Sequence, residues 1–314
     1  MATATAPAPA PARADAAAGA GRPYRIRQGL AGWAFATPFT LLFLLFMAVP
    51  VVASLVMSVT DLRSTDLRTP FAVEFVGVDN YTRLLEDAQF RRAALNTAVF
   101  VVVGVPLTMA VGLAAASALN SGLVRFRTVF RVGFYLPVVT SIVALAVVWR
   151  FLLDPEAGLV NNALRLVGVE GPNWLGDPDL ALPSIIAMAV WRNFGFLMVI
   201  FLAGLQAIPA ELYESSKLDG AGRWAQFRHI TVPLLRPTLL FGGVVTSIGY
   251  LQLFEEPLVM TRGGPLDSTL SVSYHIYNQF GFGNYGYAAA VSYVLFAAIV
   301  GLSVLQFRLL GSRD

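Results

Sequence analysis

Cysteine is missing from this 314-residue chain, which excludes disulfides, thiolate nucleophiles and cysteine-held metals. Histidine is almost missing too. His229 and His275 stand far apart, and neither has the neighbouring ligands that a histidine metal site needs. Charge is scarce: Asp, Glu, Lys and Arg make up 13% of the residues, and 56% are hydrophobic. A soluble domain carries about 25% charged residues, and a water-facing surface on a chain this long would need them. Lipid must therefore contact much of the surface.

Crossing roughly 30 Å of hydrocarbon takes about 20 apolar residues at 1.5 Å each. Six stretches qualify, running about 30–59, 93–119, 129–151, 182–207, 238–260 and 287–307. Pro38, Pro50, Pro106 and Pro137 fall inside the first three, which spanning helices tolerate when neighbours satisfy the freed carbonyls. The expected fold class is thus an all-α membrane protein with six transmembrane helices. Residues 1–29 are Ala/Pro-rich and then basic. They cannot build a core and are expected to form a disordered tail. The apolar run after Arg27 is longer than a signal peptide's and reads as an uncleaved first helix.

Charge sets the orientation. With the N-terminus inside, the inner segments hold Arg13, Arg22, Arg25, Arg27, Arg125, Arg127, Arg131, Lys217, Arg223, Arg228, Arg236, Arg308 and Arg313, out of 22 basic residues in all. The loop from Asp154 to Asp179 is acidic, with Glu156, Glu170 and Asp177 against Arg165. The positive-inside rule then predicts that both termini are cytoplasmic.

The most informative loop joins the fourth and fifth spans, residues 208–233. Pro209 suits a first helical turn, Glu211 and Glu214 favour a helix N-terminus, and Gly220 and Gly222 can stop a helix. A second short helix is expected from about Arg223 to Ile230, ending before Pro233. Leu212, Tyr213, Leu218, Trp224 and Phe227 leave apolar surface on this helix–turn–helix, as a docking partner would require. An interfacial amphipathic loop is the plainer alternative.

The run Glu214-Ser215-Ser216, Gly220, Ile230-Thr231-Val232-Pro233 resembles the EAA loop of bacterial ABC importer permeases. That pattern is EAA, three residues, G, nine residues, I-x-L-P, and this chain departs from it at Ser215, Ser216 and Val232. Leu212-Tyr213-Glu214 with Asp219-Gly220-Ala221 is similar to the carbohydrate branch, which includes the maltose and glycerol-3-phosphate permeases. Phe75 to Tyr81, Leu95-Asn96-Thr97, Phe134 to Pro137, Asn173-Trp174 and Gly263-Gly264-Pro265 resemble further signatures of that branch.

The resemblance implies a type I ABC importer permease fold over residues 30–314, with 208–233 as a cytoplasmic coupling loop. It implies a heterodimer with a second homologous permease, two ATPase subunits and an extracytoplasmic solute-binding protein, all in a bilayer and without nucleic acid. Glu214, Ser215, Ser216, Asp219 and Gly220 would contact the ATPase. No G-x-x-x-x-G-K-[ST] loop is present, so ATP and Mg are expected on the partner ATPase, with no cofactor on this chain and no catalysis by it.

Polar groups inside spans are functional candidates by default. Arg192 lies near the middle of the fourth span beside Trp191, Asn193 and Phe196. It either pairs with a carboxylate or a subunit interface, or faces the substrate path, where it would suit an anionic sugar. By the resemblance, Arg192, Asn193 and Phe196 fall at sugar-site positions. In the fifth span, Tyr250 and Phe254 would share one helix face, and Gln252 and Glu256 another. With Trp191 these four complete a candidate substrate path, since aromatic faces beside amide and carboxyl groups suit a sugar, whereas aromatics at helical spacing equally serve packing. Glu255 and Glu256 lie roughly 27 Å along the helix from Pro237, so hydration at the outer mouth is the simplest expectation for them. A secondary transporter for a small polar solute remains as the alternative, although no internal repeat or mid-depth acidic residue supports it.

Overall fold

The computed structural model describes residues 33–68, 73–121 and 124–310. The expected tail 1–29 lies outside them. The chain divides into two units, Met1–Ser54 and Leu55–Asp314. The first unit is helical from Trp33 and contributes most of an apolar helix, α1 (Trp33–Ser58), that contains a π-helical stretch at Leu44–Ala48.

The second unit is built on α2 (Asp79–Glu86), α3 (Ala88–Asn120), α4 (Arg127–Val139), α5 (Ile142–Leu152), α6 (Leu159–Leu166) and α7 (Pro178–Gln206). After these come α8 (Ala210–Leu218), α9 (Arg223–Leu251), α10 (Glu255–Met260), α11 (Val272–Gly281) and α12 (Tyr285–Leu310). Among the described residues, five helices are long and apolar enough to cross a membrane, and six spans result if the bent pair α4–α5 counts as one.

Helices α3 and α7 form the central pair, with α4 against α7 and α9 against α3 and α12. Membrane helices gain nothing from burying apolar side chains against one another, so close backbone approach matters more. Gly195 on α7 provides it, because a Cβ there would overlap the Phe134 carbonyl of α4. The Phe134 and Phe194 rings then meet edge-on at 5.4 Å.

Two expected spans differ from the sequence reading. The third is not one helix: α4 and α5 meet at a 100° bend. Pro137 stays inside α4, and the break follows at Thr140 and Ser141, whose ψ angles of 147° and 125° interrupt the ladder. The fifth starts and ends early. Instead of stopping before Pro233, the helix that begins at Arg223 runs on to Leu251. The π-helical stretch Phe227–Thr231 just before Pro233 explains how. A proline ring clashes with the carbonyl four residues back, and a π turn loosens that ladder locally. The helix then breaks at Gln252–Phe254 before α10, which packs on α5.

The loops 59–87, 153–177 and 252–284 share one end of the spans and are tied by side chains. Asn80 Nδ2 donates to the Ser58 and Thr60 carbonyls at 3.0 and 2.8 Å. Asn96 Nδ2 donates to the Asp267 and Leu270 carbonyls at 2.7 and 2.9 Å. Thr97 Oγ1 accepts from the Val272 amide at 3.1 Å. Trp174 Nε1 donates to Asn161 Oδ1 at 2.7 Å, and Asn161 donates to the Pro155 and Pro172 carbonyls. Several signature residues of the sequence, among them Asn80, Asn96, Thr97 and Trp174, thus staple this layer. The two histidines stand on helices, with His229 in the π stretch of α9 and His275 on α11.

Candidate functional site: a cavity at two helix breaks and a coupling segment

Both helix breaks open onto one cavity of about 390 Å³, within the 300–1,000 Å³ usual for ligand sites. Ile142 enters from the start of α5, and Arg192, Asn193 and Phe196 from α7. Thr246, Gly249 and Tyr250 come from α9, and Gln252, Leu253, Glu255 and Glu256 from the second break. Irregular backbone at membrane depth is tolerated where it lines such a cavity. At the second break, Leu253 is buried and its orphaned carbonyl accepts from Ser271 Oγ at 2.5 Å. Ser271 also caps α11 by accepting from the Tyr274 amide at 3.1 Å. One hydroxyl therefore stabilises both the break and the helix after it.

Six of the eight residues expected along the substrate path come together here: Arg192, Asn193, Phe196, Tyr250, Gln252 and Glu256. Trp191 and Phe254 do not line the cavity. Trp191 tilts against Trp149 at 5.7 Å, and Phe254 packs with Tyr274 and Tyr277 at 6.0 and 5.2 Å. The shared face expected for Tyr250 and Phe254 does not exist, because the helix ends between them. Glu256 also departs from expectation: it is 6% exposed instead of hydrated at a mouth, whereas Glu255 is exposed. Thr246 and Gly249 were missed, since small residues in a span give no polarity signal strong enough to mark them.

Tyr250 is fixed from the side. Its hydroxyl pairs with Thr108 Oγ1 of α3 at 2.8 Å, its ring meets Phe100 at 4.8 Å, and Gly104 leaves room for it. Arg192 is less satisfied. Its Nη1 donates to Asn193 Oδ1 at 3.1 Å, while its Nε is buried without a partner. Among the described residues no carboxylate forms an ion pair with it. An arginine at the centre of a span costs about 2.5–3.5 kcal/mol on insertion scales, and the cavity offsets that by keeping the guanidinium in a polar space.

The segment expected to couple to the ATPase, residues 208–233, follows α7 directly. Glu214, Ser215 and Asp219 are exposed, Ser216 is half-buried, and α8 buries none of its residues. Gly220 has φ +80°, with its amide bonded to the Lys217 carbonyl at 3.0 Å and the Ala221 amide to the Ser216 carbonyl at 2.9 Å. Those two bonds make a Schellman stop. A Cβ at Gly220 would touch nothing, so the requirement is the left-handed backbone and not space. Gln226, which the sequence reading passed over, holds the segment together. Its Nε2 donates to the Tyr213 carbonyl at 3.1 Å and to Ser216 Oγ at 2.8 Å. The Tyr213 hydroxyl pairs with Thr231 at 2.9 Å. Ser216, where the EAA pattern has alanine, thus uses its hydroxyl.

Comparison with known proteins fits this architecture. Residues 104–309 match the family described as binding-protein-dependent transport system inner membrane component. The lactose transport system permease protein LacF of Rhizobium radiobacter is 39% identical over 282 residues, 88% of this chain and 92% of that protein. The trehalose/maltose transport system permease protein MalF of Thermococcus litoralis is 32% identical, over 90% of this chain and 95% of that protein. Among solved structures, a bacterial alginate ABC transporter in complex with an alginate pentasaccharide-bound periplasmic protein superposes with a TM-score of 0.77. It is 24% identical and covers 91% of this chain and 95% of that one. The chain belongs to the binding-protein-dependent transport system inner membrane component family. It is a multi-pass permease subunit of an ABC importer, a transport component of the inner membrane and not an enzyme.

Proposed function

We propose that this chain passes a sugar or sugar derivative, delivered by an extracytoplasmic binding protein, through the cavity between α7 and the break after α9. The observation that carries the reading is the cavity itself. Its wall combines an aromatic ring, an amide, hydroxyls and charged groups, the mixture that suits a ligand with apolar C–H faces and a hydroxyl rim. The lactose and trehalose/maltose relatives support the sugar class.

The same reading assigns 208–233 to the cytoplasmic side and both termini with it. It pairs this chain with a second, non-identical permease on two ATPases that carry ATP and Mg. Glu214, Ser215, Ser216, Asp219 and Gly220 then meet the ATPase surface, and its closure drives the spans from one access state to the other. Reconstitution with the partner subunits in proteoliposomes tests this. Glu214→Lys should abolish ATP-dependent sugar uptake while insertion continues, and full uptake would overturn the coupling assignment. Because the chain has no cysteine, a single Ser215→Cys gives a unique label. Labelling by an impermeant maleimide from the outside would refute the orientation.

A further inference from the structure

A groove of about 380 Å³ runs along α4, apart from both the sugar cavity and the coupling segment. Val132, Tyr135, Leu136 and Val139 line it from α4 and Val199 from α7, with Arg131 nearest the start of the helix. Its four aliphatic side chains are all exposed. Arg131, Tyr135 and Val139 are spaced four apart, as are Val132 and Leu136, so the groove follows one stripe of α4. Arg127 continues that stripe one turn toward the helix start, and Arg125 stands just before it, both exposed. Among the described residues no carboxylate forms an ion pair with any of these arginines.

Arginines at that end have the wrong sign for the helix. A helix N-terminus carries partial positive charge and favours anions. Yet α4 has no acidic residue in its first turn, and Phe126 at its N-cap offers no side-chain hydrogen bond. Negative charge from outside the chain would complement both the helix end and the arginines.

The length of the groove narrows what brings that charge. From Arg127 to Val139 the helix rises about 18 Å, and from Arg131 about 12 Å, before the 100° bend ends it. One leaflet of hydrocarbon is about 15 Å deep, half of the roughly 30 Å core. A spanning helix of another subunit needs a seam about twice as long, whereas an acyl chain of one leaflet fits. The arginine stems can lie along the apolar wall and hold their guanidinium groups at headgroup level.

We propose that this groove binds an anionic phospholipid, with an acyl chain along Val132, Leu136 and Val139 and the phosphate on Arg127 and Arg131 at the start of α4. The proposal does not depend on where the sugar passes.

The test uses the transporter purified with its partner subunits, delipidated, and titrated with phosphatidylglycerol or phosphatidylcholine under native mass spectrometry. An arginine near a headgroup is worth about fivefold in affinity for anionic lipid. Arg127→Gln with Arg131→Gln should therefore cut the preference for phosphatidylglycerol by about twentyfold, and the two Arg→Lys changes together should keep most of it. Leu136→Trp, which fills the groove, should lower retention of both lipids. Equal retention of the two lipids by the wild type, or wild-type retention in both the Gln pair and Leu136→Trp, overturns the proposal. Val132→p-benzoylphenylalanine in the assembled complex then identifies the occupant. A phospholipid adduct on irradiation supports the site, and an adduct with the second permease shows that the groove is a subunit interface and overturns it.

Discussion

In the loop layer at one end of the spans, Asn80, Asn96 and Asn161 each hold two backbone carbonyls, and Thr97 and Ser271 hold backbone groups besides. In the coupling segment at the other end, α8 buries nothing, Leu218 is 90% exposed and Trp224 is 71% exposed. The loop layer ties its backbone groups with its own side chains and works as a scaffold, although Ser268 Oγ and His275 Nε2 are buried in it without a hydrogen-bond partner. The coupling segment keeps its shape through a glycine stop and one glutamine, and leaves its apolar surface open. Substitutions at the first end should therefore read out as stability, and at the second as transport.

Asn96→Ala gives the largest expected loss. It removes one part-buried and one buried hydrogen bond and leaves the Leu270 carbonyl unpaired, while the Asp267 carbonyl keeps the Leu270 amide at 3.2 Å. Each such loss costs roughly 1–3 kcal/mol, so a destabilisation of about 2–4 kcal/mol should appear in thermal unfolding in detergent. An unchanged Tm would mean that the layer is not held this way.

How much of this was legible beforehand follows from what kind of signal each feature leaves. The spans were visible because hydropathy acts on every residue in them. Gly220 and Glu214 were visible because helix stops and starts are local. The breaks at Thr140–Ser141 and Gln252–Phe254 were not, since neither contains the glycine or proline that marks a kink. They depend on α10 packing on α5 and on Ser271 reaching Leu253 from 18 residues away. The misplacement of Phe254 follows from the same cause, because face arithmetic fails once the helix ends. Arg192 and Asn193 were found because polarity inside a span is conspicuous, whereas Gln226 is an ordinary polar residue until its bonds to Tyr213 and Ser216 are seen.

Acid should loosen the loop layer before it affects the coupling segment. Asp87 caps α3 by accepting from the Gln89 and Phe90 amides at 2.8 and 3.2 Å, and it accepts from the Tyr287 hydroxyl at 2.6 Å. His275 Nε2 lies 3.4 Å from the same carboxylate. Burial pushes His275 below its usual 6.5, only partly opposed by the charges of Asp87 and Asp267. Burial raises Asp87, but the Tyr287 hydroxyl, the Phe90 amide, His275 and the Gln89 amide outweigh it and hold the carboxyl below its usual 3.8. The unfolded chain then binds more protons in both windows, and stability falls with pH. The His275 contribution is present above about pH 6.5 and lost below it, and that of Asp87 is present above about pH 4 and lost as pH drops further. Exchange protection in α11, measured against the intrinsic rate at each pH, should fall between pH 7.5 and 5, and His275→Phe should remove that first window. Asp87→Ala should cost about 1–2 kcal/mol through the lost cap.

At Gly220 the expected effect is smaller. Alanine there meets no atom, but an L-residue in the left-handed region costs about 1–2 kcal/mol. That strain falls on a solvent-exposed turn. Hydrogen exchange at Ala221 should rise, global unfolding should stay nearly unchanged, and uptake should drop.

The smallest effect on the fold should accompany one of the largest on function. Leu218→Ser with Trp224→Ser removes apolar surface that the described residues leave open, apart from the stacking of Trp224 on Phe227 at 5.7 Å. Exposed substitutions of this kind stay within about 0.5 kcal/mol each, so the Tm should hold. If the exposed patch is a docking surface, the double variant should still insert yet fail to retain the ATPase subunits on copurification. Retained subunits together with normal uptake would show that the patch is merely interfacial. The contrast between a tied end and an open one would then reduce to a difference in loop chemistry.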